Sequence, residues 1–181
     1  MGNFLEQLHL LDTLQTMRTP WADSFFSAYS ALGNAGAVWI VLAAVCLLRA
    51  KTRRTGIAVS LALLYHLILV NLFLKPMVDR PRPCELTEIA DPLLHCLTDG
   101  SFPSGHTGAA FATAAVFLFW RLPGRWFLLA AAALMGISRL YLFVHFPTDV
   151  LFAVPVGLFL GWAAVRTVEW WERRRTERSD S

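Results

Sequence analysis

Apolar positions in this chain gather into long runs separated by short polar, basic or proline-bearing segments. Residues 25–48, 56–74, 126–144 and 149–167 each hold a run long enough for a helical bilayer crossing, which takes about 20 residues. A fifth run, 107–120, is short by itself, but extending it back to residue 104 gives a crossing over 104–120. The pattern predicts an all-α integral membrane protein with about five transmembrane helices. Residues 1–18 differ: Phe4, Leu5, Leu8, Leu11 and Leu14 recur at helical spacing, while Glu6, Gln7, Asp12 and Gln15 take the other positions. That predicts an N-terminal amphipathic helix lying in the interface. A signal peptide would start basic and carry an unbroken apolar centre. Here the first basic residue is Arg18, and Glu6 and Asp12 interrupt the run, so the segment is expected to be retained.

Composition agrees with this pattern. Hydrophobic residues make up 56% of the chain, above the roughly 45–50% of soluble domains, and the mean hydropathy is +0.50. Once the runs are assigned to the bilayer, little of the 181 residues is left for a soluble module, so 1–181 reads as one membrane domain. Any site must then be built on helices and their short loops. The net charge is only +3, and no basic stretch is interleaved with aromatics, so a nucleic-acid partner is not expected. Instead the cations report topology. Eleven of the sixteen Lys and Arg residues fall in RAKTRR, RLPGR and the C-terminal region with Arg166 and ERRRTER, three segments that share one side. The positive-inside rule makes that side, and the C-terminus, cytoplasmic. Arg18, Lys75, Arg80, Arg82 and Arg139 lie at or near the outer face, beside acids such as Glu85, Glu88, Asp91 and Asp99, and need another reason.

Three segments reach that outer face: KPMVDRPRP, SFPSGH and SRLYLFVHFPTD. They bring Lys75, Arg82 and Arg139 as cations, Ser104 and Gly105 with the N–H groups of a helix start, His106, His145 and Asp149. Arg forks onto phosphate oxygens, Lys adds point charge, and a helix N-terminus favours anions, so the set suits phosphoryl transfer. His145 and Asp149 are four apart, with Pro147 placed for a first helical turn. The carboxylate can orient one imidazole nitrogen and leave the other free to attack, while His106 protonates the leaving oxygen. Two histidines with separate tasks suit a double displacement through a phosphohistidine. In a continuous helix Arg139 would lie roughly 9 Å below His145, a costly depth unless an anion meets it.

Each piece alone has a plainer reading. PSGH is more often a helix start with Ser104 as its cap, His145 and Asp149 could be an interfacial pair or metal ligands, and Lys75, Arg80 and Arg82 could be headgroup anchors. No HExxH pattern or Cys/His cluster supports a metal, and no cofactor is called for. Arg80 and Asp79 read as loop charges that could pair. His66 and Asn71 read as structural hydrogen-bonding groups, and His9 and His95 carry no signal. Trp21, Trp120, Trp126, Trp170 and Trp171 suit an aromatic belt. Cys84 and Cys96 share the outer loop and could form a disulfide in an oxidising compartment, while Cys46 reads as a packing residue.

Together the three segments resemble the signature motifs of the type 2 phosphatidic acid phosphatase family. Lys75, Arg82 and Pro83 match the first, Pro103 to His106 the second, and Ser138, Arg139, His145 and Asp149 the third, with no departure. The resemblance implies a metal-independent phosphatase with His145 as nucleophile, Asp149 as its partner and His106 as proton donor. It also implies phosphate binding by Lys75, Arg82, Ser104, Gly105 and Arg139. The expected partner is a lipid phosphate or diphosphate in the bacterial cytoplasmic membrane, at a site facing outward. Undecaprenyl diphosphate is favoured, with phosphatidic acid or phosphatidylglycerol phosphate as the alternative. A lipid phosphotransferase or a catalytically silent membrane scaffold are readings of other classes, and the sequence says nothing of oligomeric state.

Overall fold

Gly33, Asn34, Ala35 and Gly36 interrupt the first long apolar run. In the computed structural model, which describes residues 2–86, 96 and 98–179, α2 (Pro20–Leu32) stops at Gly33 and α3 (Ala37–Leu48) starts after a 3-10 turn. Ala35 and Gly36 take left-handed backbone conformations there, with φ of 51° and 72°, and the two helices meet at 47°. The single helix expected over 25–48 is therefore two, because a left-handed pair cannot continue a right-handed helix. Before them, α1 (Gly2–Thr16) precedes the Thr19 cap of α2. The expected acids Glu88 and Asp91, and also His95, lie outside the described residues.

The second run forms α4 (Arg53–His66), which continues through a π-helical stretch, Leu67–Leu74, into the short α5 (Lys75–Val78). Asp79 ends it in a left-handed conformation, φ 41°. Beyond the loop follow α6 (Gly105–Phe119), α7 (Arg125–Tyr141) and α8 (Pro147–Ser179). No strand occurs among the described residues. α8 runs past the expected end at 167, since its tail is rich in helix-forming Glu and Arg and is held by ion pairs, Arg166–Glu169 at 3.0 Å and Arg54–Glu172 at 2.8 Å.

α6 is the central helix, and its small residues explain why. A Cβ built on Gly161 of α8 would lie 2.4 Å from Ala112 O, and one on Gly157 would lie 2.6 Å from Gly108 O. Glycine therefore lets the backbones of α6 and α8 touch, the small-residue packing that suits helices in lipid. Ala112 and Val116 of α6 share one core with Ala58, Val59 and Ala62 of α4 and with Leu160, Ala164 and Val165 of α8. A second core joins Ala109, Ala110 and Ala114 to Trp39 of α3 and to Leu128, Ala132 and Met135 of α7. This packing brings the start of α6, the end of α5 and the start of α8 to one end of the bundle.

By length and composition, two helical segments can cross a membrane, Ala50–Glu85 and Pro147–Arg178, and a third can if the bent α2–α3 pair is one span. α6 and α7, at 15 and 17 residues, are shorter than a full crossing takes, so the expected count of five exceeds what the helices support by themselves.

α1 turns the expected Leu8, Leu11 and Leu14 inward, and departs from the expectation at Leu5 and at two glutamines. Leu11 is fully buried against Phe143 and Phe146, and both glutamines of the supposed polar face turn inward. Gln7 Oε1 accepts from the Thr148 hydroxyl at 2.7 Å and Gln15 Nε2 donates to Tyr141 O at 3.0 Å. Leu5, Leu10 and Met17 are exposed instead. The helix thus uses a mixed face of leucines and glutamines to clasp the α7–α8 turn.

Candidate active site

Lys75 and Arg82, seven positions apart across the Asp79 turn, end up beside one another because Asp99 bridges them. Its carboxylate accepts from Lys75 Nζ through one oxygen and from Arg82 Nη2 at 2.8 Å through the other. Arg82 is wholly buried, and a buried guanidinium needs its donors matched. Its Nε donates to Asp99 O at 2.9 Å, and Nη1 donates to Val144 O at 2.9 Å while lying 3.4 Å from His145 Nε2. Burial opposes the charge on Asp99, but Lys75 and Arg82 outweigh it and hold the carboxyl below its ordinary range. In the sequence Asp99 is one of several outer acids; which of them folds back onto the cations depends on the loop's path, which spacing does not show. Ser101 fixes that path, its N–H donating to Arg80 O at 2.8 Å and its hydroxyl to Pro81 O at 3.1 Å. Cys84 and Cys96 are disulfide-bonded, their Cα atoms 6.1 Å apart.

His145 sits in the turn between α7 and α8, with 1% of its surface exposed. Burial, reinforced by the Arg139 and Arg82 cations and opposed by Asp149, pushes its pKa down to about 4. The ring is then neutral at pH 7, as a nucleophile must be. Asp149 is fixed from two sides. Its Oδ2 accepts from the Phe146 N–H at 2.9 Å, reaching back over the first turn of α8 as in a capping box. Its Oδ1 accepts from Arg80 Nη1 at 2.6 Å. Nδ1 of His145 stands 3.5 Å from Asp149 Oδ2, an ion-pair distance rather than a hydrogen bond, and it has no hydrogen-bond partner among the described residues. A contraction of a few tenths of an ångström would close that bond, and unliganded sites are often loose in this way.

Arg80 corrects the sequence reading. It pairs with Asp149, not Asp79, donates to Thr148 Oγ1 at 2.8 Å, and lies over the Phe146 ring at 4.1 Å. The left-handed turn at Asp79 swings the Arg80 side chain toward α8, which position in the loop could not reveal.

At the start of α6, Ser104 is buried and caps the helix. Its hydroxyl faces Thr107, 3.0 Å from Thr107 Oγ1, and its own N–H donates to Asp149 O at 3.1 Å. That N–H is therefore spent on joining α6 to α8, leaving the N–H groups of Gly105 and His106 as the helix-start donors. A Cβ on Gly105 would lie 3.9 Å from Lys75 Nζ, so the backbone passes close to the ammonium. His106 Nε2 lies 3.1 Å from Asn34 Oδ1, a partner supplied by the α2–α3 break. The sequence signal for Asn34 was weak, a lone amide inside an apolar run.

Arg139 is placed differently from the continuous-helix picture. α7 ends at Tyr141, and Phe143 turns the chain with φ 58°, held there by complete burial. Arg139 lies behind the site, donating to the Ser30 hydroxyl of α2.

These elements enclose a cavity of about 490 Å³. Its lining joins the polar set Lys75, Arg82, Asp99, Gly105, His106 and His145 to the apolar Ile40, Leu63, Leu64 and Leu67. Ser104, Asp149 and Arg139 are buried and do not line it. His66 and Asn71 also face the cavity. The hydrogen-bonding role expected of His66 is not seen, because its Nε2 has no partner among the described residues and the ring packs edge-on against Gly108.

An all-helical bundle carrying two histidines, one with its carboxylate, and two cations beside a helix start is equipped to transfer a phosphoryl group. A family model described as the PAP2 superfamily matches residues 55–173, and the chain belongs to that family. Among curated relatives, the chain is 30% identical over 99 residues to "Undecaprenyl-diphosphatase BcrC" of Bacillus subtilis, covering 55% of this chain and 51% of the relative. The chain thus spans about half the length of that protein. Among solved structures it is similar to Aquifex aeolicus LpxE, with TM-score 0.76, 31% identity, and coverage of 88% of this chain and 94% of that one. It is also similar to the "transmembrane PAP2 type phosphatidylglycerolphosphate phosphatase" of Bacillus subtilis, with TM-score 0.73, 27% identity, and coverage of 96% and 87%. With its apolar helices, this likeness makes the chain a membrane protein.

Proposed function

We propose that the chain is a lipid phosphate or diphosphate phosphatase acting through a phosphohistidine. The observation that carries this reading is a single cavity whose lining combines Lys75, Arg82, His106 and His145 with the apolar Ile40, Leu63, Leu64 and Leu67. Ile40, Leu64 and Leu67 of that lining are about half exposed, an apolar surface that suits a lipid tail beside the phosphate position. Lys75, Arg82 and the N–H groups of Gly105 and His106 hold the phosphate oxygens, and Arg139 adds positive charge from behind. Nε2 of His145 attacks phosphorus, the bond from phosphorus to the leaving oxygen breaks, and His106 gives that oxygen its proton. Asp149 steadies the imidazolium that forms. Water then attacks the phosphohistidine, giving a proton to the deprotonated His106, the P–N bond breaks and phosphate leaves.

For the substrate we favour undecaprenyl diphosphate, supported by the relative bearing that activity in its name. Phosphatidylglycerol phosphate or phosphatidic acid is the second reading, favoured by the phosphatidylglycerolphosphate phosphatase whose fold this chain shares along nearly its whole length. The proposed placement has five crossings in one membrane domain in the bacterial cytoplasmic membrane, site outward and C-terminus cytoplasmic. The bent α2–α3 pair serves as one crossing, and the short α6 and α7 cross with their flanking turns. The test is phosphate release by the purified protein in detergent with EDTA present, comparing the three lipids. Release from one of them at least tenfold faster names the substrate. No release from any would leave phosphotransfer to another acceptor or a silent scaffold.

A further inference from the structure

The cations that line the cavity already hold an anion. Asp99 sits on Lys75 and Arg82 with one carboxylate oxygen each, the arrangement a phosphate would use. Its side chain is nonetheless half exposed, 51% against 9% for Lys75 and 0% for Arg82. The cations are therefore fixed in the protein, whereas the carboxylate approaches from the open side. Its segment is short and anchored at both ends, at Cys96 by the disulfide to Cys84 and at Ser101 by hydrogen bonds to Arg80 and Pro81. Tethering of this kind keeps a group at high effective concentration over its site. Neither α5 nor α6 carries the carboxylate, and the Asp99 carbonyl stays tied to Arg82 Nε at 2.9 Å, so release asks for rotation of the side chain alone.

We propose that Asp99 is a displaceable internal anion, which substrate phosphate must push off Lys75 and Arg82 in order to bind. This rests on the phosphatase reading above and concerns which lipids reach the same site. Ordinary membrane phospholipids are phosphodiesters with one negative charge, and they surround the protein in the membrane. A terminal phosphate carries about 1.5 to 2 charges near pH 7 and adds acceptor oxygens; a diphosphate carries more. The fraction of protein with its cations uncovered sets the apparent affinity for every anion. A constant displacement cost thus pushes singly charged diesters out of range and leaves the more highly charged phosphates able to bind. Asp99 acts as a charge threshold for entry.

The test is binding of inorganic phosphate and, separately, of a short-chain phosphatidylglycerol to the purified full chain, by calorimetry in a zwitterionic detergent. Wild type is compared with Asp99→Asn, which keeps the shape and removes the charge. The expected result is a phosphate Kd lowered about tenfold or more in Asp99→Asn, with phosphatidylglycerol binding measurable only in that variant. An Asp99 that merely orients Lys75 and Arg82 predicts the opposite sign, so an unchanged or raised phosphate Kd overturns the proposal. A second variant, Cys84→Ser with Cys96→Ser, leaves Asp99 in place and loosens its tether; it should lower the phosphate Kd in the same direction and by less. No shift there, should Asp99→Asn not fold, also overturns the proposal. Binding is read without turnover, so failure of the phosphatase reading would appear separately, as absence of phosphate release from wild type.

Discussion

At the scale of single residues, the chemistry rests on how few of the site's groups are free to move. Asp149 spends one oxygen on the Phe146 N–H and the other on Arg80, so the carboxylate that faces His145 is set by an arginine outside the fixed motif positions. Replacing Arg80 with alanine should lower kcat about 10- to 100-fold, the usual cost of letting a reacting group drift by about an ångström. KM should stay within about twofold, because Arg80 does not line the cavity; Arg80→Lys should recover part of the loss. Steady-state kinetics of both variants checks this, and a rise in KM with kcat intact would show Arg80 acting on substrate rather than on Asp149. Lys75, Arg82, Gly105, His106 and His145 could be found in the sequence because their identities state their chemistry and their spacing is distinctive. Asp99, Arg80 and Asn34 could not: each matters only through a tertiary contact, made across a loop or a helix break.

Among the elements, α6 determines whether the three segments meet. Its alanines and Gly108 let α8 approach through Gly157 and Gly161, and that approach puts Ser104 within hydrogen-bonding distance of Asp149 O. A methyl group at position 161 has nowhere to go, with Ala112 O and Ala115 Cβ each 2.4 Å from it. Gly161→Ala should therefore destabilise the bundle by about 1–3 kcal/mol, as overpacking does. This would be read as a lower Tm in detergent, and an unchanged Tm would mean that the two helices are not pressed together there. Periodicity and apolar length located α4, α6, α7 and α8 to within a turn or so at most ends. They miss the break at Gly33 to Gly36, since an apolar run records hydrophobicity and not φ; on α1 they place Leu8, Leu11 and Leu14 on the inner face, where these residues pack, and miss that Gln7 and Gln15 turn inward beside them to bond hydroxyl and backbone groups.

For the molecule as a whole, the minority cations that run against the proposed positive-inside pattern are each accounted for. Arg18 pairs with Asp23, Lys75 and Arg82 with Asp99, Arg80 with Asp149, and Arg139 donates to Ser30. They belong to the site and its supports, and the eleven others are left to define orientation. A cysteine introduced as Asp79→Cys in a Cys46→Ser background should accordingly react with an impermeant maleimide added to intact cells, and one introduced as Arg53→Cys should not. The reverse would place the site in the cytoplasm. The central claim, that His145 performs phosphoryl transfer at this cavity, is tested most directly by phosphate release from undecaprenyl diphosphate, phosphatidylglycerol phosphate and phosphatidic acid with EDTA present, wild type against His145→Ala. The account predicts release by the wild type from at least one lipid and a loss of about a thousandfold or more in the variant. Retained release by His145→Ala would contradict it.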